Sequence, residues 1–342
     1  SLLVSPNIAL ISGSITAILV ALMFQLNVTL FIYLFFSNSA TTFFLIGKYS
    51  RKDLINAGYK IGLTHIVLIV TLLITGGKSN WLAHILALSA GFGSGVIAAM
   101  ITTGILPYFE SIFQITTQQT LLELGHLNHP LMKKLQIKSP GTYQHSLIVA
   151  NLGESAAEAI GADPVLTRVG GYFHDIGKIK RPSFFSENQF SGENPHNTLS
   201  ARMSLLIIRS HIKDGIELAE RYALPKILHN MILEHHGTSL ISFFFNKASI
   251  ESKNTEQAED DFRYLGPKPS SKEAGILMLA DSVEATVRAM EKPSINKIEH
   301  MVDKIFEDIE EHEKNLDLIK FEIQEGNFLI ANELISRIEH GN

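Results

Sequence analysis

Histidine and aspartate carry the chemistry that this sequence advertises. Fourteen histidines occur in 342 residues, and several stand where an imidazole is hard to explain as surface decoration. His174-Asp175 lies in GGYFHDIGKIK, behind an apolar approach and just ahead of a glycine. His235-His236 closes the helical run KILHNMILEHH, His145 lies in PGTYQHSLIVANL, and His211 in IIRSHIKDG. Asp281 interrupts the apolar run ILMLADSVEA, where a carboxylate is costly to bury unless something positive neutralises it. Singly, each has an ordinary explanation: a core histidine is usually hydrogen-bonded, and Asp281 could pair with Arg288. Together, five segments offering imidazole and carboxylate suit divalent first-row metals. Thiolate ligation is excluded because the chain has no cysteine.

The elements that must position these groups read as helices. Apolar residues recur at helical spacing in SLIVANLGESAAEAIG, SLLIIRSHIKDGIELAERY and KILHNMILEHH, while strand-like alternation is scarce. Asp163-Pro164 is a helix start, with aspartate as the cap and proline in the first turn. The segment after Pro107 reads as a helix leaving the apolar region, followed by short helical pieces. The stretch 238–272 mixes an aromatic patch, a polar run and two prolines. It is long for a connection in a compact domain and is expected to be a lid, with plain disorder the competing reading. Charged helices over 294–340 are expected to pack on the domain or to mediate a homodimer. The fold class is all-α.

The first third differs in kind. Up to Pro107 the only charges are Lys48, Arg51, Lys52, Asp53, Lys60 and Lys78. Apolar stretches at 7–26, 28–47, 55–76 and 82–107 each approach the ~20 residues that cross a bilayer as a helix. Residues 1–113 are therefore expected to be a transmembrane helix bundle in the lipid bilayer, and 114–342 a separate helical domain. Lys48, Arg51, Lys52 and Lys60 gather around one link, which the positive-inside rule places in the cytoplasm, together with Ser1 and everything after Pro107. Trp81 suits an interfacial anchor. Gly91, Gly93, Gly95, Ala98 and Ala99 would permit close helix packing or general flexibility. His65 and His84 lie within spans and are expected to be satisfied structural histidines. No series of intramembrane carboxylates is present, which disfavours an ion-coupled transporter. The chain opens at Ser1, with no charged n-region or cleavage site, and is read as a segment preceded by further chain. From Thr117 onward, 24 Lys and Arg stand against 32 Asp and Glu, a poor partner for long nucleic acid.

The order His145, His174-Asp175, His211, His235-His236, Asp281 resembles the HD-domain superfamily of metal-dependent phosphohydrolases. It is closer still to the seven-transmembrane receptors with an intracellular HD hydrolase domain. The likeness is carried by TTQQTLLELGHLNHPLMKKL, SPGTYQHSLIVANLGESAAEAIGADP, RVGGYFHDIGKIKRPSFFSENQ, NPH, LEHHGTS and FRYLGPKPSSKEAGILMLADSVEATVRA. The resemblance implies a bacterial, membrane-bound cyclic di-AMP phosphodiesterase, with an extracytoplasmic domain and further spans upstream, so that these four spans are the last of seven. It also implies that His145, His174, Asp175 and Asp281 surround one metal, and that Asp175 bridges to a second held by His211, His235 and His236. The metals would be two divalent transition-metal ions, iron or manganese. The Gly-Tyr-Pro signature of the related cyclic di-GMP branch is missing: GTSLISFFF follows His236.

The expected reaction is attack of a metal-bridging hydroxide on phosphorus, opening the ring to the linear 5′-phosphorylated dinucleotide. Lys178 is expected to contact the phosphate or to orient Asp175. Arg181 and Arg288 are weaker candidates for the phosphate, and Asn188 and Gln189 for hydrogen bonds to substrate. Two alternatives remain. One is another HD-type nucleotide phosphohydrolase using a single metal and four ligands. The other is a receptor whose HD domain only binds nucleotide.

Overall fold

Uninterrupted apolar sequence forms the first four helices of the computed structural model, which describes residues 5–48, 50–76, 80–189, 192, 194–251, 258–290 and 294–312. They are α1 (Pro6–Met23), α2 (Val28–Leu45), α3 (Arg51–Gly76) and α4 (Trp81–Phe113). Side chains define three of the starts: Ser5, Asn27 and Asn80 accept hydrogen bonds from the N–H groups of Ile8, Leu30 and Leu82. All four are long and apolar enough to span a membrane, with stretches of 18, 18, 24 and 33 residues. The fourth runs through Pro107 to Phe113, so the helix expected to leave the apolar region begins as the end of α4 itself. Proline removes a single N–H and crowds the preceding turn, and α4 carries that defect on to a left-handed cap at Gln114. Beyond it, Glu110 accepts hydrogen bonds from the N–H of Thr117 (3.0 Å) and the hydroxyl of Thr120 (2.9 Å), tying the following chain back to the helix.

Small residues let α3 and α4 approach closely. A Cβ at Gly95 would lie 2.5 Å from the Gly62 nitrogen, and one at Gly58 2.6 Å from the Ala99 Cβ. Gly93, by contrast, faces open space. His65 is a satisfied structural histidine, with Ser37 Oγ 2.7 Å from Nε2 and Ser94 Oγ and the Gly91 carbonyl near Nδ1. His84 departs from that expectation, because its buried Nε2 has no hydrogen-bond partner among the described residues.

The chain divides into two compact units, Ser1–Thr120 and the part from Leu121 onward. After α5 (Gln118–Leu124), the second unit is built from α6 (Pro130–Lys138), α7 (Pro140–Ala159), α8 (Pro164–Phe173), α9 (Ala201–Arg221), α10 (Lys226–Glu234), α11 (Ser242–Glu251), α12 (Lys272–Arg288) and α13 (Ile295–His312). Asp163 caps α8 as its sequence predicts, accepting from Leu166 N–H at 3.0 Å with Pro164 in the first turn. Helix α7 is central, because both of its faces are apolar. Tyr143 and Ala150 join a core with Leu131, Leu135, Phe173 and Leu228, while Val149, Leu152 and Ala156 join another with Ile276, Leu277 and Ala280 of α12 and Ile298 and Val302 of α13. At roughly 2 kcal/mol for each fully buried large side chain, these two cores dominate the domain's cohesion.

No strand occurs among the described residues; Leu240 and Arg263 form an isolated bridge. The stretch 238–272, expected to be a lid, is helical in part. It contains α11, whose Phe244 and Ala248 pack with Phe262 on Ala201 and Leu205 of α9. Of the stretch 294–340 expected to pack on the domain or to mediate a homodimer, α13 packs on the α7–α12 core through Ile298 and Val302; residues 313–340, and 252–257 of the earlier stretch, lie outside the described residues.

Candidate metal centre

Five elements deliver the seven donors. His145 comes from the buried side of α7, His211 from α9 and Asp281 from α12. His174 and His235 are the C-caps of α8 and α10, so Asp175 and His236 follow where each helix has just ended. After Asp175 the chain tightens into a 3-10 turn, Ile176–Lys180. That turn lies against α9 so closely that a Cβ at Gly177 would be 1.8 Å from the His211 carbonyl. Only glycine permits the approach, which is the physical content of the glycine two residues after Asp175.

Ring orientation is set by the main chain. Nδ1 of His174, His211 and His235 each faces the carbonyl three residues earlier, at 2.8, 2.6 and 2.8 Å. A carbonyl only accepts, so Nδ1 carries a proton in all three rings and Nε2 is the nitrogen turned inward, bare in the neutral His211 and His235. Nε2 of His211 and Nε2 of His235 then face each other at 3.3 Å, two lone pairs with no hydrogen between them. A cation relieves that opposition.

Asp175 stands between two donor groups. Its Oδ2 lies 3.5 Å from His145 Nε2 and 3.3 Å from His174 Nε2, while its Oδ1 lies 3.5 Å from His211 Nε2 and 3.7 Å from His235 Nε2. Asp281 completes the first side, 2.9 Å from His145 and 3.7 Å from His174 through Oδ1. Within each set, His145–His174–Asp175–Asp281 and His211–His235–His236, one donor atom per residue lies within 4.8 Å of the others. Among the described residues, His145 Nε2, His174 Nε2 and Asp175 Oδ1 are buried without a hydrogen-bond partner. Orphaned donors of these types, converging on one place, fit divalent cations.

Residues 1–117 match the family described as 7TM receptor with intracellular HD hydrolase, and residues 142–286 match the HD domain. The second unit is similar to the crystal structure of the Listeria monocytogenes phosphodiesterase PgpH HD domain in complex with cyclic-di-AMP. Identity is 41%, the TM-score is 0.54, and the likeness covers 62% of this chain and 98% of that one. The chain belongs to the family of 7TM receptors with an intracellular HD hydrolase. Family relatives include the cyclic-di-AMP phosphodiesterase PgpH of Bacillus subtilis, 40% identical over 90% of this chain, and that of Listeria monocytogenes, also 40% identical over 90%. The chain spans 44% and 43% of their lengths.

The two donor sets of this family member differ in charge. Burial opposes a proton on His145 and His174, but carboxylates outweigh it: Asp281 and Glu284 raise His145 to about 9, and Asp175 and Asp281 raise His174 to about 10. Burial wins at the other set. It lowers His211 and His235, and pushes His236 down to about 3 despite Asp281. Burial would raise Asp175, yet Lys178 and His174 hold its carboxyl well below the usual range.

Of the other residues expected to act, Lys178 is within the site, its Nζ 2.6 Å from Asp175 Oδ2 and 3.0 Å from Glu187 Oε1. Arg288 is one layer out, bound to Glu284 at 3.2 Å rather than to Asp281. Arg181 is turned to the exposed side, on Asp214 (3.0 Å) and Ser210 (2.6 Å). The two amides expected to bind substrate have partners within the domain. Asn188 Oδ1 accepts from the N–H groups of Gly141 and Thr142, and its amide donates to Thr142 Oγ1, so it caps α7 from a distance. Gln189 donates to the Ser183 carbonyl and to Asn194. Asn188 reaches α7 because its short 3-10 segment abuts the start of that helix.

Three groups were missed. Glu284 accepts a hydrogen bond from His145 Nδ1; it lies one turn after Asp281, a spacing that could have been read. Tyr264 stacks on His236, with centroids 4.1 Å apart and planes at 21°. Glu187 joins Lys178 to Arg288, and nothing in its sequence setting marks it.

Proposed function

We propose that this chain hydrolyses cyclic di-AMP, opening one phosphodiester bond to leave the linear 5′-phosphorylated dinucleotide, with the HD domain on the cytoplasmic face of a bacterial membrane. The observation that carries this reading is the division of Asp175 between two sets of inward-facing histidines, in a domain 41% identical to one crystallised with cyclic-di-AMP. The basic link at Lys48, Arg51 and Lys52 supports the orientation. An upstream extracytoplasmic domain agrees with the length of the relatives, and a homodimer remains part of the expectation.

His145, His174, Asp175 and Asp281 would hold one divalent cation, and Asp175, His211, His235 and His236 a second, iron or manganese. When bound, such a pair lowers the pKa of water at the site and stabilises charge on the phosphoryl and leaving oxygens. The protein's own contribution is preorganisation. Carbonyls of Gly171, Ile208 and Ile232 fix three imidazoles, Glu284 fixes His145, and burial keeps bulk water from competing. Lys178 keeps Asp175 anionic and oriented, the second of the two roles its sequence position suggested. Attack in line with the 3′ oxygen then needs little movement of the surrounding side chains.

Purified chain supplied with manganese or iron should hydrolyse cyclic di-AMP with about two metals per chain. Asp175→Ala should abolish both metal binding and turnover, and full activity in that variant would end the proposal. Lys178→Ala should lower kcat by about 100-fold while metal content is kept. A metal-to-protein ratio of one, with a mononucleotide substrate preferred, would favour the single-metal HD phosphohydrolase instead.

A further inference from the structure

Five charged side chains form an alternating series around one side of the metal centre. Asp175 meets Lys178 at 2.6 Å, Lys178 meets Glu187 at 3.0 Å, Glu187 meets Arg288 at 3.9 Å, and Arg288 meets Glu284 at 3.2 Å. Glu284 ends the series on His145. The first and last members therefore touch donors of the same four-residue set.

The Lys178 ammonium and a divalent cation need the same oxygen. Oδ2 of Asp175 is the atom facing His145 and His174, and it is also the atom 2.6 Å from Lys178. The ammonium has little water to turn to, since its side chain is 12% exposed. Its other anchor is Glu187, 3.0 Å away, whose side chain is buried and held from two directions. Thr142 donates to Glu187 Oε1 at 3.0 Å, and Arg288 approaches Oε2. Its backbone is fixed as well: a Cβ at Gly141 would lie 1.8 Å from the Glu187 carbonyl, and the adjacent Asn188 caps the same turn of α7. A rigid carboxylate thus shares a flexible ammonium with the carboxylate at the heart of the site.

We propose that Glu187 is a positioning residue: it gives the Lys178 ammonium a second anchor, so that Lys178 can release Asp175 Oδ2, which it contacts at 2.6 Å, to the cation held by His145, His174, Asp175 and Asp281. This rests on the metal-centre reading above. Neutralising Glu187 leaves Asp175 as the remaining carboxylate beside the ammonium, which strengthens the competitor. Removing the competitor makes Glu187 unnecessary, so the two substitutions are strongly non-additive.

The test is manganese titration of the full chain in detergent, followed by the EPR signal of free manganese, in a His235→Ala background where the four-residue set is intact. Glu187→Gln keeps an acceptor for Thr142 and should weaken binding about tenfold. Lys178→Met should bind at least as tightly as the parent. Adding Glu187→Gln to Lys178→Met should change affinity by less than about threefold. A tenfold loss that persists with Lys178→Met would show Glu187 to be a scaffold or a simple charge, and would overturn the inference. Unchanged affinity in Glu187→Gln would do the same. Should Glu187→Gln fail to fold by its melting curve, Lys178→Met alone decides, and weaker binding there refutes competition. A chain with Asp175 intact that binds no manganese at all would instead sink the metal-centre reading itself.

Discussion

Glu284 accepts a hydrogen bond from His145 Nδ1, while Asp281, one turn earlier on the same helix, stands 2.9 Å from the opposite nitrogen of that ring. One helix of the HD domain thus grips an imidazole of another at both ends. Carboxylate support of this kind orients a ligand and raises its basicity. Glu284→Ala should reduce metal affinity by about 10- to 100-fold. Glu284→Gln still presents an acceptor to Nδ1 and should lose clearly less. Equal losses in equilibrium dialysis with metal analysis would show that the hydrogen bond is not what matters.

The two donor sets should respond differently to pH. His145 and His174, raised to about 9 and about 10, hold protons that a cation must displace. Affinity at that set should therefore climb as pH rises from 7 toward 9 or 10. His236, lowered to about 3, and the lowered His211 and His235 are already neutral, so the other set should change little across the same window. Stepwise manganese titrations at pH 6.5, 8 and 9.5 should show one step strengthening while the other stays level. Two steps moving in parallel would contradict the charge difference described above.

Gly177→Ala tests the packing that joins Asp175 to His211. The new methyl group would meet the His211 carbonyl at 1.8 Å, and relieving it requires the 3-10 turn to move off α9. Destabilisation of about 3 kcal/mol is expected, seen as a lower melting temperature together with weakened metal binding. A variant as stable as the parent would mean that the turn is freer than its contacts imply.

Asn188→Ala separates scaffold from substrate contact. Loss of a cap made from a distance should cost about 1 kcal/mol and lower the melting temperature, with KM for cyclic di-AMP within about twofold of the parent. A raised KM without a change in melting would return Asn188 to the substrate site.

Much of this architecture was legible beforehand, for identifiable reasons. Four apolar runs announced four helices because a membrane-crossing segment can hardly carry charge, and their observed ends differ from the expected ones by a few residues at most places. The exception, α4 running through Pro107, arose because proline weakens a helix without always ending it. The helix within 238–272 was not foreseen because α11 has no clear apolar stripe in its sequence; Phe244 and Ala248 seat it on α9. The cap made by Asn188 was not foreseen, since a hydrogen bond reaching 46 residues back to Thr142 leaves no local trace.

Residue chemistry alone determined which seven side chains could serve a metal: imidazole and carboxylate have few other reasons to occur together in apolar helices, and cysteine was absent. Their division into two sets was implied only by the family resemblance; tertiary structure decided which oxygen of Asp175 faces which histidines, and that Glu284, Glu187 and Tyr264 stand behind them. Those are relations between side chains on separate helices. They depend on how closely α7, α9 and α12 approach one another, a distance set by packing across the core and written in no single segment of the chain.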